Sequence, residues 1–334
     1  MERILLSHGD GGLLTYELVK SCFLPHFRNE TLEKLTDAAL LQAKEGRIAL
    51  STDAFVVDPI FFPGGDVGKL SICGTVNDLS VSGARPVFMA ASFIIEEGFP
   101  LADLERILDS MAKASRDADV QVVCGDTKVV GKNQADKIFI VTTGLGYVYE
   151  GVELGYEHIE EGDAVVVNGP LGNHGLAVLL ARESFGLKTK IESDCAPLNR
   201  MIGAILESHR GVKFMRDLTR GGLATCLKEI ALSSKKDIMV DEASIPIDEE
   251  VRGVCEILGL DPLYLANEGK FLIIVEAKEA PGIVQFLKTE FSQQKACIIG
   301  SVLREGDGEL LLRTRMGGTR RLRMLLGDPL PRIC

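Results

Sequence analysis

The stretch PVFMAASFIIEEGFPLADLERILDSM, residues 86–111, decides the fold of the first half of the chain. Its first ten residues, 86–95, are mostly apolar and predict a strand. Leu101, Leu104, Leu108 and Met111 then recur at the spacing of a helix with one apolar face. A strand followed directly by such a helix is typical of a domain in which helices pack on a sheet.

The segments around this stretch extend the same arrangement. Further strands are predicted at residues 47–57, 120–124 and 138–148. Leu70, Cys73 and Val76 lie three residues apart, as on one face of a helix. The predicted order across residues 45–150 is therefore β-α-β-α-β-β, which we interpret as an N-terminal domain.

The rest of the chain divides into three segments. Residues 1–44 hold a Gly-rich opening and a short amphipathic stretch that Pro25 should end. After an acidic linker at 150–162, residues 151–305 should form a C-terminal α+β domain. Its helices are predicted at 173–187, 197–209, 222–234 and 248–258, and its strands near 164–167, 212–216, 237–241, 270–276 and 296–303. Residues 306–334 are expected to be a flexible C-terminal tail, so the fold class is α+β in two domains.

Composition limits the kind of partner. The chain has 334 residues, a formal net charge of −11 and 46% hydrophobic residues, which is ordinary for a soluble globular protein of two domains. Acidic charge without a dominant basic block argues against nucleic acid as a ligand, and no apolar run suits a membrane-spanning helix. The eight cysteines form no C-x-x-C pair, which predicts a reducing, cytoplasmic location.

The last residue, Cys334, is an unusual place for a thiol. It ends an arm that contains Pro329 and Pro331. Cysteine is usually buried, but a terminal side chain cannot pack on all sides and can move. Cys334 therefore indicates a carrier thiol, on which a group is loaded, brought to a pocket and altered.

Two stretches resemble nucleotide-binding motifs but do not satisfy them. Residues 64–70, GGDVGKL, are one residue short for a phosphate loop and lack the Ser or Thr that binds magnesium. Gly144-Leu145-Gly146 lacks the third glycine of a dinucleotide loop. A phosphate-binding site must be sought elsewhere.

Four carboxylates lie beside small residues at predicted strand ends or in a helix. They are Asp53, Asp78, Asp126 and Asp217. Carboxylate oxygens suit magnesium, which usually shares them with phosphates. The alternative is that each is a turn or helix-cap residue.

Three further segments are candidates for ligand binding or catalysis. The loop of residues 7–12, SHGDGG, could hold phosphates with backbone N–H groups, although Asp10 adds negative charge there and a disordered terminus is the alternative. The loop that begins at Asn168 and Gly169 follows a predicted strand and is either a ligand loop or a tight turn. Glu268 precedes a strong strand and is either a base of raised pKa or a solvated turn residue.

These segments, in this order, resemble the HypE family of hydrogenase maturation proteins, in the superfamily of aminoimidazole ribonucleotide synthetase and selenophosphate synthetase. The resemblance covers essentially the whole chain, and its most specific piece is the terminal Pro-Arg-Ile-Cys at 331–334. The other matching pieces are the loop at 8–12 and residues 51–53, 58–65, 74–78, 125–130, 216–222 and 266–270.

The resemblance implies a fold and an activity. It implies an N-terminal sheet that pairs with that of a second subunit into a dimeric barrel, a C-terminal α+β domain, and ATP bound between the two domains. It implies that a carbamoyltransferase, HypF, loads a carbamoyl group on Cys334, that ATP-dependent dehydration makes a thiocyanate, and that a HypC–HypD complex receives the cyanide for the iron of [NiFe] hydrogenase.

The same resemblance assigns roles to residues. Glu268 is the expected base and Lys128 the second candidate, while Cys334 carries the substrate. The expected magnesium ligands are Asp53, Asp78, Asp126 and Asp217. The expected ATP-binding residues are His8, Gly9, Gly11, Gly12, Asp53, Asn77, Asp78, Gly125, Asp126, Thr127, Lys128, Asn168 and Gly169.

Two other functions remain open at this point. An ATP-dependent enzyme of the same superfamily acting on a small molecule is the first, but selenophosphate synthetase would need a reactive Cys in the N-terminal loop, and the first cysteine here is Cys22. The second is a non-catalytic carrier of the carbamoyl group, which would need no ATP site.

Overall fold

The computed structural model describes residues 3–36, 38–182, 185–325, 327, 330 and 332–334, with the side chain of Glu305 excepted. Within them the chain forms two domains, each built on one main sheet. Both halves of the chain show the strands and helices that the sequence predicted, in the predicted order.

The N-terminal domain is a four-stranded sheet covered on one face by two helices. Its strands are β1 (Ile48–Phe55), β4 (Ala84–Glu96), β5 (Gln121–Val130) and β6 (Ile138–Val148), in the order β1-β6-β4-β5, and a small hairpin of β2 (Phe61–Phe62) and β3 (Gly65–Asp66) precedes the first helix. The covering helices are α3 (Val67–Val81) and α4 (Leu101–Ala118). The apolar stripe of α4 is buried at Leu104, Leu108 and Met111, as the sequence predicted.

The N-terminal segment packs beside this sheet as a nearly continuous helix. It consists of α1 (Leu13–Leu18), a π-helical turn (Val19–Phe23) and α2 (Leu24–Phe27). The prediction that Pro25 ends the helix is wrong. Pro25 lies in the first turn of α2, where a missing N–H costs little, and the wide π turn accommodates the change.

The C-terminal domain is a seven-stranded mixed sheet between two layers of helices. Its strands are β7 (Ala164–Val167), β8 (Val212–Asp217), β9 (Lys236–Asp241), β10 (Phe271–Val275), β11 (Cys297–Glu305), β12 (Leu310–Arg313) and β13 (Thr319–Leu322). The helices are α5 (Asn173–Arg182), α6 (Asn199–Ser208), α7 (Gly222–Ser234), α8 (Glu249–Leu258) and α9 (Ala280–Glu290). Strands β7 and β10 are buried along their whole length, since helices cover both faces.

Two predicted boundaries differ from the structure. The tail expected from residue 306 begins later, because β12 pairs with β9 and β13 pairs with β12 in the sheet of the C-terminal domain. The helix expected at 173–187 ends at Arg182.

The two domains share a hydrophobic core. One cluster of buried residues joins α3 and α4 to α5 and α8, and it includes Leu330 and Ile333 of the terminal segment. Helices of both domains therefore pack against each other beside the cleft between the domains. No helix in the described part of the chain is long and apolar enough to cross a membrane.

Candidate functional site

Three of the four predicted magnesium carboxylates meet in the cleft between the domains. Asp53 lies on β1, Asp78 on α3, and Asp217 at the end of β8, where it pairs with Phe271 at the start of β10. Asp53 belongs to the alternate residues of β1 that face the helices, which brings its carboxyl group to that of Asp78.

Burial and mutual repulsion raise the pKa of these carboxyl groups. The pKa of Asp78 is raised to about 6, first by burial and then by the charge of Asp53. The pKa of Asp217 is raised to about 7, again first by burial and then by Asp78, while Arg216 acts in the opposite direction. A positive charge bound among them would relieve this repulsion.

The chemistry of this donor set fits a divalent cation, because hard carboxylate oxygens are what magnesium prefers. The side chains do not by themselves form a finished metal centre: among the described residues, no group of three or more His, Cys, Asp or Glu side chains is arranged to hold a metal ion. Magnesium commonly takes only one or two protein carboxylates and completes its shell with phosphates and water.

Hydroxyl groups that the sequence analysis did not single out fix the carboxylates. The Ser51 hydroxyl donates to Asp78 Oδ2 at 2.8 Å, and the Thr75 hydroxyl donates to Asp53 Oδ2 at 2.9 Å. Each bond crosses between β1 and α3. Polar residues on the buried faces of an apolar strand and helix are the feature of the sequence that indicates such contacts, because buried hydroxyl groups need hydrogen-bond partners.

Glu268 completes the cleft from the loop before β10. Its side chain is 3% exposed, and its Oε1 atom has no hydrogen-bond partner. Burial raises its pKa well above the ordinary value, with further contributions from Cys195 and from Asp217. An unpartnered buried carboxyl oxygen is costly, so it marks Glu268 as a candidate for proton exchange with a bound substrate.

The loop around Glu268 is held by its backbone. The N–H groups of Glu268 and Gly269 donate to the Asp194 carboxylate at 3.1 and 3.3 Å. A Cβ on Gly269 would lie 1.9 Å from the Asp194 carbonyl oxygen, so only glycine allows this approach. Asp194 is far from Glu268 in sequence, and no local pattern announced the contact.

The side chains of two predicted ATP-binding residues form hydrogen bonds to backbone groups of the protein. Asn77 Nδ2 donates to the carbonyls of Ala196 and Glu268 at 3.1 and 3.2 Å, and its Oδ1 accepts from Leu198 N–H at 2.8 Å. Asn168 Nδ2 donates to Gly269 O at 3.2 Å and its Oδ1 accepts from Phe271 N–H at 2.9 Å. Both buried amides tie the Glu268 loop to the rest of the protein.

Asp126 and Lys128 do not join the cleft in this chain. They lie inside β5 rather than after a strand, and Asp126 is in register with Ser92 of β4, which pairs with Val141 of β6. Their side chains therefore project from the face of the sheet opposite to Asp53. Lys128 Nζ lies 3.0 Å from Asp126 Oδ1, and both side chains are more than half exposed. The prediction that all four carboxylates converge is therefore wrong within one subunit. Side chains along a strand alternate between the two faces of the sheet, and Asp126 falls on the face opposite to Asp53.

The N-terminal loop and residues of β5 instead line a second cavity, of about 520 Å³. Gly9, Gly11, Asp126, Thr127 and Lys128 all border it, together with α1 and α2. Its volume is in the range of small-molecule sites. The structure thus divides the predicted residues between the cleft and this cavity.

The loop itself is well packed at Gly9. A Cβ there would lie 2.4 Å from Val129 N, so glycine is required for contact with β5. His8 is buried, with Nδ1 accepting from Leu5 N–H at 2.8 Å. The Asp10 carboxylate accepts from Gly12 N–H at 3.2 Å, and Gly11 has a left-handed φ of 86°. The side chain of Asp10 therefore stabilises the turn in which it lies.

The terminal residues are docked rather than extended into solvent. Val56 N–H donates to Cys334 O and Asp58 N–H donates to Arg332 O, both at 3.1 Å, so the tail runs antiparallel to the segment that follows β1. His174 Nε2 donates to Ile333 O at 2.8 Å. Val56 lies three extended residues beyond Asp53, about 10 Å along the chain, so the docked end of the tail pairs with the segment that leads out of the carboxylate cleft.

Comparison with known proteins agrees with this fold and cleft. The sequence family "AIR synthase related protein" matches the chain in both halves, its N-terminal domain over residues 35–148 and its C-terminal domain over residues 160–313. The chain is therefore an AIR synthase related protein with two such domains. Within that class it belongs to the HypE family of carbamoyl dehydratases.

Several relatives support this assignment. Carbamoyl dehydratase HypE of Cupriavidus necator is 45% identical over 99% of this chain and 95% of its own length. HypE of Escherichia coli is 42% identical over 100% of both chains. A crystal structure of hydrogenase maturation protein HypE in complex with ATP is 43% identical, covers 99% of both chains and has a TM-score of 0.95.

More distant structures share the fold alone. Thiamine monophosphate kinase from Aquifex aeolicus is 18% identical, with a TM-score of 0.61 over 82% of this chain. The resemblance and the α+β fold expected from the sequence are confirmed.

Proposed function

We propose that this chain dehydrates a carbamoyl group carried on its own C-terminal thiol, with ATP as the activating reagent. The thiocarboxamide at Cys334 and ATP give a thiocyanate, ADP and phosphate. The C–O bond of the amide breaks, its oxygen leaves with the γ-phosphoryl group, and two N–H protons are released. The product supplies the cyanide ligand for hydrogenase iron.

The observation that carries this proposal is the docked tail. Its terminal residue pairs with Val56, just beyond the end of β1, the strand that carries Asp53, and buried Glu268 lies in the same cleft as Asp53. A carrier that only presented its thiol to other enzymes would not need a buried, unpartnered carboxyl group beside the docked end of its own tail.

Glu268 is the residue that we propose exchanges a proton with the amide nitrogen. Burial raises the pKa of Glu268 well above its ordinary value, which favours the protonated form in the free chain. An ionised Glu268 in this apolar setting is a strong base, which suits removal of an N–H proton. Bound positive charge near Asp53 and Asp217 would lower the pKa of Glu268 and favour that ionised form.

We place ATP, and magnesium with it, on the remaining predicted residues. The complex of a HypE protein with ATP supports nucleotide binding. The cavity between the N-terminal loop and β5 offers backbone N–H groups and Lys128, which would neutralise phosphate charge. Magnesium would be held by Asp53, Asp78 and Asp217 and would offset phosphate charge, while Asp126, on the opposite face of the sheet, is left out of this set.

The proposed partners follow the same reasoning. A solved HypE–HypF complex, whose HypE chain is 44% identical with a TM-score of 0.81, supports a carbamoyltransferase HypF as the partner that loads Cys334. A HypC–HypD complex as acceptor is carried over from the family. A homodimer through the outer face of the N-terminal sheet is supported by exposed apolar side chains there. A cytoplasmic location is supported by free thiols at Cys22, Cys73, Cys124, Cys195, Cys226, Cys255 and Cys297.

Intact-protein mass tests the proposal. The chain is loaded by HypF and carbamoyl phosphate with an ATP analogue whose β–γ bond cannot be hydrolysed, freed of nucleotide, and then given ATP or the same analogue. We expect one carbamoyl adduct per chain, which loses the mass of one water with ATP and not with the analogue. A chain lacking Cys334 should take up no adduct. Water loss without ATP hydrolysis would contradict the proposal.

A further inference from the structure

The docked tail is recognised through the side chain of Arg332 as well as through its backbone. Arg332 Nε donates to the Val56 carbonyl at 2.8 Å, and Nη1 donates to Asp136 Oδ2 at 2.5 Å. The guanidinium also lies 5.9 Å from the ring centroid of Phe139. These three groups come from two different segments of the N-terminal domain, and together they form a binding site for one arginine.

The backbone of Arg332 shows that the site constrains the tail. Its φ is 55°, in the left-handed region that strains the backbone of a non-glycine residue. Its carbonyl oxygen accepts from Asp58 N–H at 3.1 Å and from Arg182 Nη2 at 2.8 Å. The contacts of the docked state must outweigh this strain, whereas a released tail would relax.

Two carboxylates and two cations surround the Arg332 guanidinium. Lys137 Nζ binds Asp58 Oδ1 at 2.9 Å and lies 3.8 Å from Asp136 Oδ1, while Arg182 Nε donates to the Asp58 carbonyl. Asp136 is thus the acidic group that directly receives Arg332. Its side chain is 44% exposed and that of Arg332 is 35% exposed, so the pair can open and reform without unfolding the domain.

We propose that Asp136 is a positioning residue for the reaction: it binds the Arg332 guanidinium, and so holds the tail in register with residues 56–58 and sets the place of Cys334 at the cleft. The inference rests on the proposed function. It concerns a residue that touches neither ATP nor the reacting carbamoyl group, and that acts only by changing the population of docked tails.

This role predicts opposite effects on the two steps of the cycle. Dehydration requires the docked tail, whereas loading by a carbamoyltransferase requires the thiol to leave the protein and enter another active site. Weakening the Asp136–Arg332 pair should therefore slow dehydration and leave loading unchanged or faster. General damage to the fold would slow both.

The test compares Asp136→Asn with a matched control. Asp119→Asn removes a more exposed carboxylate, whose partner at 3.3 Å on the same domain is Arg85 rather than a residue of the tail. We expect Asp136→Asn to slow single-turnover dehydration of carbamoylated protein by about three- to tenfold, in keeping with an exposed ion pair. Asp119→Asn should have the wild-type rate. Loading by HypF should be at least as fast in both variants.

A double-mutant cycle with Arg332→Gln makes the test specific. If Asp136 acts through Arg332, then Asp136→Asn should have no further effect on dehydration once Arg332 is replaced. Equal rates for wild type and Asp136→Asn, or full additivity of the two substitutions, would overturn the inference. If the wild-type chain loads but loses no water with ATP, the proposed function itself fails, which is a distinct result.

Discussion

At the scale of single residues, Glu268 is set apart by what surrounds it. Its backbone is fixed by the Asp194 carboxylate and the Asn77 amide, but Oε1 has no partner. A buried acid with a rigid backbone and a free oxygen is prepared to contact a ligand. Its neighbour Cys195 raises the pKa further, after burial itself.

The first prediction is that Glu268→Gln blocks dehydration but not loading. Gln has nearly the same shape as the protonated acid, so the fold should be retained, while the proton acceptor is lost. We expect the carbamoyl adduct to accumulate and its ATP-dependent water loss to slow by at least about 100-fold. Intact mass over time measures this. Wild-type water loss in the variant would exclude Glu268 as the base.

Asp217 gives a prediction about pH. Its pKa is about 7 in the folded chain, against an ordinary value of 3.8. A raised acid pKa contributes stability that is present below pH 4 and lost as the pH rises through 7, because the unfolded chain ionises more readily.

We therefore expect Asp217→Asn to remove part of the loss of stability between pH 5 and 8. The difference from wild type should change by roughly 2–4 kcal/mol across that range. Urea unfolding in the presence of a chelator measures it, with Asp117→Asn, an exposed carboxyl group on α4, as the control. Parallel pH profiles for wild type and Asp217→Asn would show that Asp217 is not buried as an acid.

At the scale of elements, α3 links both domains. Its Ser71 and Thr75 face the N-terminal sheet, Asp78 enters the cleft, and Asn77 bonds three backbone groups of the C-terminal domain. One helix therefore positions the carboxylate cluster relative to the Glu268 loop.

Asn77→Ala should accordingly destabilise the chain and slow dehydration together. It leaves the Ala196 carbonyl and the Leu198 N–H without this partner, while the Glu268 carbonyl keeps its bond from Ala196 N–H, and we expect a loss of about 2–4 kcal/mol in the free energy of unfolding. Gln285→Ala, which removes an exposed amide on α9, should change it by less than about 0.5 kcal/mol. Denaturant midpoints compare the two. If Asn77→Ala had a negligible effect, α3 would not be the link between the two domains.

The elements also show how far the sequence could lead. Apolar periodicity located the helices and strands, and the family motifs located Glu268, Asp53 and Cys334. The strand predicted at 47–57 already contained Asp53, but periodicity could not show that Asp126 lies within β5, because the small polar residues there resemble a strand end. Phe55 and Thr127 are both buried. Because side chains alternate along a strand, Asp53 shares the face of Phe55 and Asp126 lies on the face opposite to Thr127. The contacts of Asp194 and Asp136 depend on long-range packing and had no local signal.

At the scale of the whole molecule, the outer face of the N-terminal sheet is left uncovered in a single chain. Ile48 and Leu50 of β1 are 62% and 71% exposed, and Ile94 of β4 is also exposed. Apolar side chains in line on one sheet face are typical of an interface. Asp126 and Lys128 lie on the same face, so a second subunit would cover them.

Leu50→Asp should therefore convert a dimer into monomers. A charge at the centre of an apolar interface is not compensated, so association should weaken by at least about 100-fold. Sedimentation across a concentration series measures it. Ile257→Asp, at an equally exposed apolar position on α8 of the other domain, is the control and should leave the dimer intact. Dissociation by the control alone would place the interface elsewhere.

The tail belongs to the same scale, because it reaches from the C-terminal domain back to the first strand of the N-terminal one. Ile333 and Leu330 fill the shared core, and the chain end pairs with the segment that follows β1. The substrate arm is thus part of the folded molecule when docked, which explains how a short terminal segment can be placed accurately without a separate receptor.

The most direct measurement of the central claim follows the carbamoyl oxygen. Chain carrying ¹⁸O in the carbamoyl group on Cys334 is mixed with ATP in unlabelled water for a single turnover, and the released inorganic phosphate is analysed by mass spectrometry. If ATP activates that oxygen, one ¹⁸O atom should appear in each phosphate formed with a thiocyanate. Unlabelled phosphate, with the ¹⁸O recovered in water, would contradict the account.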